Sequence, residues 1–181
     1  MLTNSISTAR LLLRPPVAED LDRFYRIHSD PAANRFNPAG PMASPDIAAH
    51  AFAQWLQHWE RHGYGQWAVA TLDDPAFVIG FGGLALRDYG VHKRMNLGYR
   101  FDPHYFGHGY ATELAAAARD AGFKQLGCDT VFGLVRPGHA VSIRVLEKIG
   151  MRRVGELDDV PGHAPSLVYS VTIRPQAETE S

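Results

Sequence analysis

The sequence is poor in the residues that make covalent and metal staples. It has one cysteine, Cys128, in 181 residues, which excludes an internal disulfide and any zinc site built on several thiolates and favours a reducing compartment. It also lacks a long apolar run. The greasiest stretch, Phe77 to Leu86, holds three glycines and falls well short of the roughly 20 apolar residues that span a bilayer, so no membrane segment is expected. An excess of one charge is missing as well: 18 Lys and Arg stand against 19 Asp and Glu, a net charge of -1. No basic field therefore draws the chain to nucleic acid or an anionic membrane. Between Met1 and Pro16 the only apolar run is Leu11-Leu12-Leu13. That is too short for the core of a secretion signal, and a cytoplasmic location is expected.

Hydrophobic residues at 45% and charged residues at 20% are ordinary globular values and exclude disordered or fibrous classes. The length suits one domain, residues 1–181, able to bury about two thirds of the surface its unfolded chain exposes. Arg10 to Arg14 reads as a strand and Ala18 to Ser29 as an amphipathic helix, with Leu21, Phe24, Tyr25 and His28 at helical spacing. The Pro-, Ala- and Asn-rich stretch Asp30 to Pro45 reads as a loop, and Ser44 caps a second helix running through Trp59. Gln66 to Thr71, Phe77 to Arg87 and Lys93 to Phe101 form a meander. Tyr110 to Leu126 is an Ala-rich helix, Thr130 to Val135 a strand, His139 to Ile149 a helix, and Met151 to Val160 and Ser166 to Ile173 are late strands. Pro175 to Ser181 should fray. The order predicts one mixed α/β domain without repeats.

The chemistry concentrates in Phe106-Gly107-His108-Gly109-Tyr110-Ala111-Thr112-Glu113, where a turn with paired glycines opens a helix. Unpaired N–H groups of a first helical turn, approached past residues without a Cβ, suit an anion such as a diphosphate. The same glycines also serve a plain tight turn. Walker and dinucleotide patterns are absent here, and Gly80-Phe81-Gly82-Gly83 reads as a bulged or closely packed strand. His58 and His62 lack the glutamate placement of a zinc protease, so no metal is expected. Trp55, Trp59, Tyr64 and Trp67 suit packing of the second helix on the sheet, and Cys128 is a small core residue.

These segments resemble the GNAT family of acyl-coenzyme A dependent N-acetyltransferases, within it the branch similar to RimJ and RimL. The likeness begins at Arg10-Leu11-Leu12-Leu13-Arg14-Pro15, continues through Leu97-Gly98-Tyr99-Arg100-Phe101 and the glycine turn, and closes with Ser142-Ile143-Arg144-Val145-Leu146-Glu147-Lys148-Ile149-Gly150-Met151. It implies a twisted, mostly antiparallel sheet of about seven strands, splayed between its middle strands and flanked by about four helices. It also implies acetyl transfer from acetyl-CoA to a primary amine, on a protein N-terminus or a small molecule, by a monomer or homodimer.

By the same resemblance the strand edge at Arg100 and Phe101 holds the pantetheine arm. His104 and the backbone of Phe106, Gly107, His108, Gly109, Tyr110, Ala111 and Thr112 hold the diphosphate. His139 and Ser142 line the other wall, with Ser142 near the thioester sulfur as the catalytic hydroxyl. Four positions depart from the family pattern. His104 and His108 put titratable charge where fixed positive charge is usual, so cofactor affinity should depend on pH. His139 replaces an Asn, and Asn96 replaces a carboxylate that accepts the amine proton. The last departure keeps a non-catalytic coenzyme A binding domain open as the alternative. Glu156, Asp158 and Asp159 offer an acidic rim for a cationic acceptor, or a solvated turn.

Overall fold

The computed structural model describes residues 5–173, and the fraying expected at Pro175 to Ser181 lies outside them. Strands β1 (Ile6–Ser7) and β2 (Leu11–Arg14) are followed by helices α1 (Leu21–Ser29) and α2 (Pro45–His62). Then come β3 (Gln66–Thr71), β4 (Val78–Tyr89), β5 (His92–Phe101), α3 (Tyr110–Lys124), β6 (Thr130–Val135), α4 (Ala140–Lys148), β7 (Arg152–Leu157) and β8 (Ser166–Thr172). The caps explain the helix bounds. Ser44 Oγ accepts from the Ile47 N–H at 3.3 Å at the head of α2, and the chain leaves it through Gly63 at φ 69°, whose N–H donates to the Trp59 carbonyl.

One sheet of eight strands in the order β1-β2-β3-β4-β5-β6-β8-β7 carries both cores. Helices α3 and α4 cover one face, burying Leu13, Val69, Ile79, Leu97 and Phe101 of the sheet against Leu114, Ala118 and Leu146. Helices α1 and α2 cover the other, packing Phe24, Ile27 and Phe52 on Ala68, Val78 and Phe81. The tryptophans pack as the spacing predicts: Trp55 meets Phe24 edge-on at 5.0 Å, and Trp59 Nε1 donates to the Gln66 carbonyl at 2.9 Å. The glycine run in β4 is a close-packing device. A Cβ on Gly82 would lie 2.4 Å from Leu114 Cδ2 and 2.7 Å from Tyr99 Cβ, so α3 reaches the sheet only because that position is bare.

The splay sits between β5 and β6, the one parallel pair. These strands are in register only at Asn96↔Phe132 and Leu97↔Gly133, whereas β4 and β5 pair from Gly80↔Phe101 to Tyr89↔His92. From Gly98 onward β5 has a partner on one side only.

Several bounds differ from those read in the sequence. Eight strands form rather than seven, because two-residue β1 is too short to show periodicity. Strands β4 and β5 run to a tight Gly90-Val91 turn, with Gly90 at φ 68°. Exposed Arg87 and Asp88 break the apolar pattern there while hydrogen bonding continues. Helix α3 ends at Lys124 and β7 at Leu157, where the chain turns polar or meets glycine.

Candidate active site

The open end of β5 presents main-chain groups to the splay in alternation. The Asp102 N–H donates to the Ile79 carbonyl of β4 at 2.9 Å, so the main-chain groups of Gly98 and Arg100 also face β4 and those of Tyr99 and Phe101 face the gap. The carbonyls of Arg100 and Gly98 lie beside Gly80 and Gly82 of β4 accordingly. Of the two residues expected to edge the gap with their backbone, Phe101 does so. Arg100 does not: its backbone is turned to β4, and Tyr99 takes its place.

At the end of the gap the chain passes through Pro103–Tyr105 into the glycine turn. Gly107 and Gly109 both have left-handed backbones, φ 80° and 79°, which only glycine adopts freely. The first α-helical bond of α3 runs from the Glu113 N–H to the Gly109 carbonyl at 3.2 Å, so the N–H groups of Gly109, Tyr110, Ala111 and Thr112 have no partner within the helix. Phe106, Gly107, His108 and Gly109 are exposed, and the turn is open to a ligand.

The turn has a fixed cation that sequence reasoning missed. Arg10 donates from Nη1 to the His108 carbonyl at 2.9 Å and from Nε to Glu113 Oε2 at 2.8 Å, and its guanidinium lies 4.8 Å above the Tyr110 ring. Glu113 also accepts from the Arg10 main chain and from Thr8 Oγ1, and these bonds, with the Arg10 charge, outweigh burial and hold its carboxyl below the ordinary value. Arg10 thus adds a fixed charge to the turn that holds His108 and follows His104. Their imidazoles are engaged locally, His104 Nδ1 with Asp102 Oδ1 at 2.8 Å and His108 Nδ1 with the Phe106 carbonyl at 3.0 Å, while Arg10 supplies charge that does not titrate. A signal existed in the pairing of Arg10 and Glu113, but their separation in sequence hid it.

Across the gap three polar groups form a chain. The Tyr99 hydroxyl donates to Ser142 Oγ at 3.1 Å, and Ser142 Oγ lies 3.2 Å from His139 Nε2. Burial pushes the Tyr99 hydroxyl up to about 12 despite the Ser142 bond, and burial also lowers the His139 imidazole. At neutral pH Tyr99 is therefore a protonated donor and His139 an uncharged imidazole. Ser142 and His139 stand where the sequence predicts, at the head of α4; Tyr99 is the partner it did not name. The His139 ring stacks on Phe36 of the α1–α2 loop at 4.1 Å.

Asn96 lies buried on the α1 and α2 face, its Oδ1 accepting from Tyr89 Oη at 2.7 Å and its Nδ2 donating to the Leu97 carbonyl. It is tied at both ends of its amide. The acidic rim is largely paired: Asp159 with Arg87 and Arg136, Glu156 with Arg153, leaving Asp158 exposed. Among the described residues no group of three or more His, Cys, Asp and Glu is placed to hold a metal ion, and no helix is long and apolar enough to cross a membrane.

The cradle fits coenzyme A. A strand edge free on one side suits amide groups of a pantetheine arm, the bare left-handed turn beside unpaired N–H groups and Arg10 suits a diphosphate, and a Cβ added at Gly107 would meet nothing within 4 Å. Comparisons with known proteins agree. Residues 10–152 match the model of the acetyltransferase (GNAT) domain. The chain is 29% identical over 150 residues to YnaD of Bacillus subtilis (strain 168), an uncharacterized N-acetyltransferase, covering 83% of this chain and 84% of that one. Among solved structures it is similar to an acetyltransferase from Agrobacterium tumefaciens str. C58, with TM-score 0.77, 26% identity and 96% of both chains covered. It shares its fold with spermidine N-acetyltransferase from Vibrio cholerae in complex with CoA and spermine, with TM-score 0.74, 18% identity, and 91% of this chain and 96% of that one covered. With this fold, this cradle and a family match over most of its length, the chain belongs to the GNAT family and is an acetyltransferase that uses acetyl-CoA.

Proposed function

We propose that this acetyltransferase acts on a primary amine, on a protein N-terminus or a small molecule, by direct attack without an acyl-enzyme. The observation that carries this reading is the Tyr99–Ser142–His139 chain, which joins the β5 edge to the head of α4 across the splay. Cys128, the one thiol, is half-buried between α3 and β6, and burial raises it above its ordinary value, which disfavours a nucleophilic thiolate. The RimJ- and RimL-like signatures favour an N-terminal acceptor, and the tied amide of Asn96 favours an amine that arrives already deprotonated.

In this reading the turn from Phe106 to Thr112, with His104 and Arg10 beside it, holds the diphosphate, and the backbone of Tyr99 and Phe101 aligns the pantetheine arm. Acetyl-CoA supplies the acetyl group as an activated thioester. The amine nitrogen bonds to the acetyl carbon, the carbon–sulfur bond breaks, and the Ser142 hydroxyl, backed by Tyr99, donates to the departing sulfur. The amine proton passes to water, because Asn96 cannot accept it. Thiol release from acetyl-CoA, measured against a panel of peptides and small amines, tests the reading. Amine-dependent release with a mass gain of one acetyl group on the amine is expected, and acetylation of hydroxyl acceptors alone would overturn it.

A further inference from the structure

Two partly buried arginines, Arg94 and Arg100, have no carboxylate within 4 Å among the described residues, and Arg100 lacks the aromatic faces that Arg94 has. Arg14, Arg23, Arg119 and Arg136 are likewise shielded, and each has a carboxylate within 4 Å: Asp20, Asp102, Asp120 and Asp159. Arg94 lies over the Phe132 ring at 4.4 Å. Arg100 meets only the neutral Oδ1 of Asn34, and among the described residues no Asp or Glu lies within salt-bridge distance of it. A shielded cation that lacks a counter-charge is costly unless something else supplies one.

The surroundings keep that charge free. Asn34 is 3% exposed, and its Nδ2 donates to the carbonyls of His28 at 2.9 Å and Asp30 at 2.8 Å. Those bonds aim its Oδ1 at Arg100, and an aspartate in its place would lose both. His28, packed beside Arg100, is uncharged: burial first and the Arg100 charge second lower it to about 4. The remaining N–H groups of the guanidinium find no acceptor among the described residues, yet none is sealed from solvent.

Its position is also specific. Successive β5 side chains alternate faces, so Arg100, paired with Phe81, projects on the α1 and α2 side, opposite Tyr99. On that side the α1–α2 loop reaches the splayed sheet through Asn34 on Arg100 and Phe36 on His139, while Asp159 of the β7–β8 loop grips Arg136 ahead of His139. The two loops frame the open end of the gap where an acceptor must meet the thioester, and Arg100 lies within that frame. The rim acids that would draw a polycation are mostly paired already.

Resting on the acceptor reading above, we infer that Arg100 binds an anionic oxygen group of the acceptor, so that the substrate class is a primary amine carrying a carboxylate or phosphate. Its planar fork of donors matches such groups in two-point fashion.

Matched acceptors test this in the wild-type enzyme: glycine, β-alanine and γ-aminobutyrate against their neutral amides, O-phosphoethanolamine against ethanolamine, and spermidine, each kcat/KM corrected for the free-amine fraction. At least one acid should exceed its neutral partner by tenfold or more. The chain length that does best reports the span from Arg100 to the reacting carbon, and the phosphate arm separates the two anions. Arg100→Gln, which keeps a polar contact to Asn34, should bring the acid-to-neutral ratio close to one, and Arg100→Lys should restore part of it. The ratio is internal to each variant, so a general loss of activity does not imitate the effect. Equal rates for every pair, spermidine as the best acceptor, an unchanged ratio in Arg100→Gln, or no turnover of any acid by an enzyme that acetylates other amines would each overturn the assignment. Acetyl-CoA binding without acetylation of any amine would overturn the acceptor reading itself.

Discussion

The Tyr99 hydroxyl donates to Ser142 Oγ at 3.1 Å, tying the open end of β5 to the first turn of α4 across the mouth of the splay. The two residues come from opposite walls of the gap, so the hydrogen bond spaces the walls, and in the proposed reaction it sets a donor pair beside the departing thiolate. Because Tyr99 stays protonated far above neutral pH, it keeps the Ser142 oxygen occupied as an acceptor and leaves the serine proton free to point at His139 or, in the proposed reaction, at the sulfur.

Ser142→Ala should lower kcat by roughly tenfold to a hundredfold, at or below the lower end for acid–base groups, with KM for acetyl-CoA little changed. Tyr99→Phe should lower it by a similar factor, and the double variant by less than the product, because the hydroxyls act as one chain. Steady-state kinetics with melting curves on the same proteins checks this. A lower melting temperature at unchanged kcat would reduce Ser142 to a helix-end serine.

Gly109→Val should weaken acetyl-CoA binding by tenfold or more, and by more than His104→Gln or His108→Gln. The new side chain meets a left-handed backbone, at roughly 1–2 kcal/mol of strain, and stands before the unpaired N–H groups. Arg10→Gln should weaken binding several-fold while costing about 1 kcal/mol of stability, since Arg10 is half exposed and Glu113 keeps its bonds from Thr8 and the Arg10 main chain. Calorimetric titration reads both, and normal affinity in Gly109→Val would move the diphosphate elsewhere.

With Asn96 bonded through both ends of its amide, the rate should follow the supply of free amine. An α-amine at about 7.7 to 8.0 should then exceed a lysine side chain at about 10.4 by roughly two orders of magnitude in kcat/KM at neutral pH. Peptides matched except for the reacting amine make the comparison, and equal efficiency would reveal a strong base elsewhere in the site.

His28 should make the fold acid-sensitive. Its folded value of about 4 lies below the ordinary 6.5, so above pH 6.5 neither state binds the proton. As pH falls from there the unfolded state takes it up first, and stability declines until about pH 4 by about 3 kcal/mol. At pH 5 that is roughly 2 kcal/mol, or a melting temperature about 4–8 °C lower than at pH 7.5. His28→Phe, which preserves stacking on Phe24, should shrink the difference, and an unchanged difference would assign the acid sensitivity to other groups.

Local patterns in the sequence determined the elements and the cradle. Ser44-Pro45 and Gly63 bound α2 by capping chemistry, and the glycines at 107 and 109 set left-handed turns because nothing else enters that backbone region cheaply. Those signals act within a few residues, so they are legible in one dimension, and the place of Ser142 and His139 at the head of α4 came with them. Only the tertiary structure decided which side of β5 each residue serves, a matter of register with β4 that no run of letters carries. It turned the Arg100 backbone away from the gap and its side chain toward Asn34, and brought Tyr99 to Ser142 and Arg10 to Glu113 and His108. These contacts join residues 43, 66, 98 and 103 positions apart. Charge and hydrogen bonding at such separations depend on how the sheet twists and where its strands part, and that is fixed by packing both faces at once.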